Sequence, residues 1–305
     1  MRPLVLAAVV LVVAGVLLAT HPAQTRAVLS QLRRLPAWAL AGAFGLILTQ
    51  LACQGMRLWA VVPRNLSLGP GRVVSDWAAG EWVNMFAPAR AGDALKVLLI
   101  RRRPGGDPSG VPAATGAVLA DKVVDLASIV LLCAAGGLIG LLWTRAATGL
   151  FWLSLVGAAV LVVLVALRLK GATWWHHSRR WVRELIAGFS ALRDPPRLLV
   201  SLGFSLTAWV AEGGALWALC AGLGMTLAAS QVLLALVVLN VGISVPIALA
   251  NLGVYEAALA AGLHHAGVPL PTALAVAASH HGLELLALNV AAAGLSFKTL
   301  TARPA

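Results

Sequence analysis

"EWVNMFAPARAGDALKVLLIRRR", residues 81–103, is the stretch on which the fold turns. Within sixteen positions it carries Glu81, Asn84, Pro88, Arg90, Gly92, Asp93 and Lys96, and Arg101, Arg102 and Arg103 close it. That is too polar for a plain spanning helix. With Trp82, Phe86 and a Leu-rich end it is too apolar for a solvated loop. A helix broken at "APARAGD" and folded back on itself resolves the conflict. Each half is about a dozen residues, too short to cross a hydrocarbon core of ~30 Å. Irregular backbone survives at membrane depth only where it is buried in protein or lines a wet cavity.

The rest of the chain sets that depth. Apolar residues make up 60% of the 305 and charged residues 11%, with a mean hydropathy of +0.89. A soluble domain carries about a quarter charged residues. The fold class is therefore an all-α polytopic membrane protein. Apolar runs predict six transmembrane helices, at about 3–20, 36–60, 112–143, 148–169, 198–220 and 271–297. The first run could be a signal peptide, but it is long enough to span and "LATHPA" is a poor cleavage site, so a retained helix is expected. A second segment, about 230–265, is broken like 73–100, here by "SVPIALANLG". Both read as re-entrant helical hairpins. The longest polar stretch, about 170–197, is too short for a soluble domain, so 1–305 reads as one integral membrane domain. That stretch has apolar residues at helical spacing and reads as an amphipathic helix on the anionic inner leaflet, with His176 and His177 in its interfacial belt. Cys53, Cys133 and Cys220 sit in apolar runs with neither pairing nor metal spacing.

The net charge of +12 does not indicate nucleic acid, because the basic residues cluster at the ends of apolar runs. With a cytoplasmic N-terminus and two re-entrant hairpins, sixteen of the 23 Lys and Arg residues fall inside, among them Arg57, Arg64, Arg72 and Arg101 to Arg103. Four fall outside, namely Arg26, Arg33, Arg34 and Arg145, and Arg90, Lys96 and Lys122 are left at membrane depth. This asymmetry follows the positive-inside rule. If both hairpins were ordinary spans, Arg101 to Arg103 would face outside. The expected protein is multi-pass in the inner (plasma) membrane, with both termini cytoplasmic.

An internal repeat joins the broken segments. "GVPAATGAVLADKVVDLA" from Gly110 and "GVPLPTALAVAASHHGLELLA" from Gly267 begin alike. They place Asp121, Lys122 and Asp125 opposite His280, His281 and Glu284. Upstream, Gly92 and Asp93 have a rough counterpart in Gly253 and Glu256. Copies entering from opposite sides make an inverted repeat, whose sites lie near the midplane.

Charges at that depth are costly unless paired or hydrated. Two readings stay open: the charges pair as structural glue, or they line a cavity for a charged headgroup. In the second reading Arg90, close to a helix N-terminus, can hold an anion through guanidinium and backbone N–H. Glu212, alone in mid-span, is either a proton-titrating site or a bond to a neighbouring helix. His264, His265, His280, His281 and Glu284 lack the two-His helical motif of a metal site, so neither metal nor other cofactor is expected. No P-loop or nucleophile elbow occurs in the sequence.

Three stretches carry a resemblance: "NMFAPARAGDALKVLLIRR", "AVLADKVVDLASIVLL" and "VPIALANLGVYEAAL". Together they resemble the lysylphosphatidylglycerol synthase transmembrane region, or flippase-like domain, family. Its pattern is similar: Asn, then Pro-x-Arg-x-Gly-Glu; an acid, a basic residue and Asp on one helix; then Pro and Gly-x-x-Glu. Asp93 stands where the family usually has Glu. Lys122 stands where Arg is usual and loses the bidentate fork, and His281 makes a charge pH-dependent. The resemblance implies lipid translocation. In fused relatives this region is joined to an aminoacyl-transferase domain. The chain ends at Ala305 without one, so lipid aminoacylation is not expected. The expected substrate is a phosphate-bearing or isoprenoid-linked lipid. Arg90, Lys122, Asn84, Asp93, Asp121, Asp125, Glu256 and His281 would form the binding site, and Glu212 and Glu284 would couple protons. The alternatives are a membrane-embedded lipid transferase, or a non-catalytic partner of lipid, hopanoid or glycolipid synthesis enzymes. A homodimer is the other expected assembly.

Overall fold

The computed structural model describes residues 22–87, 91–101, 110–135, 175–243 and 249–301. The expected spans at 3–20 and 148–169, the end of the run at 112–143, and Arg90 lie outside these residues. Ten α-helices are described: α1 (Pro22–Arg34), α2 (Ala37–Val61), α3 (Pro70–Phe86), α4 (Ala91–Ile100), α5 (Val111–Ala135), α6 (Trp175–Gly188), α7 (Pro195–Gly222), α8 (Ala229–Ile243), α9 (Val254–His265) and α10 (Leu270–Thr301). No strand occurs among the described residues.

Among the described residues, three helices are long and apolar enough to cross a membrane: α2, α7 and the stretch Leu270–Ala293 of α10. α5 matches α2 in length, at 25 residues, but carries Asp121, Lys122 and Asp125 in its middle. α2 and α7 form the most extensive helix pair. Small buried residues, Ala39 and Ala43 on α2 and Ala208, Ala211 and Ala215 on α7, let the backbones approach. Close backbone packing is the main attraction between helices where lipid tails are as apolar as leucine. The pair is also pinned at one end. Arg197, in the first turn of α7, donates from Nε and Nη2 to the Ala60 carbonyl at 3.0 and 2.7 Å. Its Nη2 also reaches the Val62 carbonyl at 2.5 Å. Those carbonyls end α2 and have no partner within the helix.

Both broken segments are interrupted where the sequence predicts. The first becomes α3 and α4, which pack on each other, and the second becomes α8 and α9, which do the same. α10 packs on α9, α2, α1, α3 and α7. The 3-10 turn Leu249–Asn251, in the second break, packs against α3. The two broken segments therefore touch. The amphipathic stretch forms α6 and a 3-10 turn, Phe189–Arg193, and α6 lies on α5. Its last expected residues, from Pro195, belong instead to α7.

Candidate functional site

Within the first broken segment, α3 and α4 cross at Gly80 and Gly92. A Cβ on Gly92 would stand 1.8 Å from the Gly80 carbonyl oxygen, so the backbones meet with no room for a side chain. That crossing brings Lys96 of α4 under α3. Lys96 is 1% exposed, and its ammonium donates to Asp93 Oδ1 at 2.8 Å and to Glu81 Oε1. It also lies 5.8 Å from the centre of the Trp77 ring. Asn84 Nδ2 donates to Glu81 Oε2 at 3.1 Å and to Asp93 Oδ1 at 3.3 Å. Both carboxylates keep about a quarter of their side-chain surface open. Lys122, half-buried on α5, is close enough for its charge to act on both of them.

Arg57 is the residue that sequence reasoning misplaced. Counted among cytoplasmic flanking residues, it is instead 2% exposed. Its Nε donates to Asp121 Oδ1 at 2.7 Å and its Nη2 to Asp121 Oδ2 at 3.3 Å, a two-pronged grip. Nη1 donates to Asp125 Oδ1 and, at 3.1 Å, to Ser205 Oγ. Trp209 Nε1 completes the shell on Asp125 at 3.1 Å. Helices α2, α5 and α7 are thus tied through one guanidinium, whose planar fork suits paired carboxylates. A signal was available. Gln50, Gln54 and Arg57 recur at spacings of four and three, marking a polar face on an apolar helix.

A third group joins α9 and α10. His281 Nδ1 lies 2.7 Å from Glu256 Oε1, and Glu256 Oε2 accepts the Gly253 N–H at 2.7 Å. The Tyr255 hydroxyl pairs with His280 Nδ1 at 2.8 Å. The Tyr255 ring stacks on His281 with centroids 4.1 Å apart. His264 is elsewhere, with its Nδ1 on the Val268 carbonyl at 2.9 Å, where it closes the end of α9.

The three groups lie within reach of one another's charge. Glu212, 7% exposed on α7, feels the charges of Glu284 and Asp125. Glu284 in turn feels that of Glu81. Of the expected site residues, Asn84, Asp93, Lys122, Asp121, Asp125, Glu256, His281, Glu212 and Glu284 all take part in this network. Lys96, Glu81 and Arg57 are additions that the expected site lacks. Among the described residues, no three His, Cys, Asp or Glu residues are grouped to hold a metal ion.

The family model of the lysylphosphatidylglycerol synthase TM region matches residues 5–292. The chain belongs to this family. The match covers all three charged groups, so the network sits within the shared part of the lysylphosphatidylglycerol synthase TM family and not in an appendage. No curated protein and no solved structure was found to be similar. Family membership and the apolar helices together make this a membrane protein with a lipid-related role.

Proposed function

We propose that the protein moves an amphipathic lipid between the leaflets of the inner membrane. In this reading six spans and two re-entrant hairpins, arranged as an inverted repeat, form one domain with both termini in the cytoplasm. The observation that carries it is the convergence of charged residues from α2, α3, α4, α5, α7, α9 and α10 in a bundle whose outer surface is apolar. Such groups are expensive in hydrocarbon and normally mark a polar pathway. Arg90 and Lys122 hold the headgroup phosphate. Asn84, Asp93, Asp121, Asp125, Glu256 and His281 shape the cavity, and acyl or isoprenoid tails stay in the bilayer. Anionic inner-leaflet lipids engage the basic amphipathic helix.

Purified protein in liposomes tests the reading. A translocase redistributes labelled lipid between leaflets without changing its mass. A lipid transferase changes the mass, and a partner protein does neither. Arg90→Ala abolishes redistribution while the fold survives; unchanged transport would remove Arg90 from the site.

A further inference from the structure

The second break is held in an unusual backbone. Ala250, Asn251 and Gly253 all stand at positive φ, at 50°, 54° and 81°. Glycine tolerates that region, whereas alanine is strained there. A strained turn persists only when its surroundings hold it. Glu256 supplies one such hold, accepting the Gly253 N–H at 2.7 Å through Oε2 while Oε1 meets His281 at 2.7 Å. The adjoining 3-10 turn packs against α3 of the first broken segment. Contacts therefore run from an imidazole on α10, through a carboxylate on α9, to a strained turn and on to the other hairpin.

Histidine changes charge near neutral pH. Protonated, His281 and Glu256 form a charge-assisted ion pair; neutral, they share an ordinary hydrogen bond. His281 is 4% exposed, but Glu256 keeps 24% of its side chain open and gives protons a way in. Among the described residues, the charged and titratable groups around His281 are few. α9 contributes Tyr255 and Glu256, and α10 itself His280 and Glu284; α7 and α3 bring Glu212 and Glu81 to the Glu284 side of the group. α2 turns Arg57 toward α5 and α7, and the arginines of α1 are exposed.

We propose that His281 and Glu256 form a proton-binding site that clamps the turn of the second hairpin and loosens it when the proton leaves. Its use in transport rests on the translocase reading, because loosening of this turn would let the two hairpins move against each other. The clamp itself does not depend on that reading.

Hydrogen exchange of the full chain in lipid nanodiscs tests it, comparing residues 249–258 at about pH 5.5 and about pH 8 after correction for intrinsic rates. Protection in the wild type falls about fivefold to tenfold at the higher pH, the difference between a charged and a neutral hydrogen bond. In His281→Gln, which keeps a donor but cannot titrate, protection is equal at both values. Glu256→Gln also flattens the response and serves if the histidine variant does not fold. A flat wild-type response, or a pH response that survives in both variants, overturns the proposal. A liposome arm separates the two readings. Lipid movement that slows or quickens with pH in the wild type and is level in His281→Gln supports coupling, and movement level in both overturns it. No lipid movement with the exchange response intact overturns the translocase reading and leaves the proton site standing.

Discussion

The first broken segment, α3 and α4, is closed by a lysine and two glycines. Lys96 is gripped by Glu81 and Asp93, and Gly80 and Gly92 let the backbones touch. The second, α8 and α9, is closed by an imidazole reaching over from α10 and by a turn in left-handed backbone. Lysine in such a cage is charged throughout the physiological range, whereas histidine is not. One hairpin thus carries a fixed charge lock and the other a conditional one.

Substitutions can break this contrast. The largest effect is expected from Lys96→Met, which leaves two carboxylates facing each other without their cation. Removing one partner of a buried pair costs about 3–5 kcal/mol. Thermal unfolding in detergent reads this as a large fall in Tm, and a variant as stable as wild type would remove the lock. Gly92→Ala comes next. Its Cβ cannot be fitted 1.8 Å from the Gly80 oxygen, so α3 and α4 must separate. Overpacking of this kind costs about 1–3 kcal/mol. The smallest effect has the opposite sign. Ala250→Gly relieves a left-handed alanine at φ 50° and stabilises by about 1 kcal/mol. A loss of stability there would mean that the turn is not strained as described.

How much of this was legible in the sequence depends on range. The two breaks were, because Pro, Gly and Asn act locally on the backbone. The residues of the polar network were mostly legible too, since a charge inside an apolar run stands out. Their partners were not. Lys96 finds Glu81 across a helix crossing that only Gly80 and Gly92 permit, fifteen positions away. In the sequence Arg57 reads as a flanking residue, because basic residues near a helix end usually orient a protein. Only the packing of α5 and α7 around α2 shows that it faces Asp121 and Asp125. His281 and Glu256 were each legible as site residues, but their pairing across 25 positions was not.

The account stands on the first hairpin returning to the side from which it came, and side-specific labelling tests that directly. Single cysteines in place of Arg101 and Arg193, in a background with Cys53, Cys133 and Cys220 replaced, report the side on which each segment lies. Both are predicted to be shielded from an impermeant maleimide in intact cells and labelled together once the membrane is opened. Labelling of the two positions from opposite sides would make α3 and α4 an ordinary crossing and contradict the account.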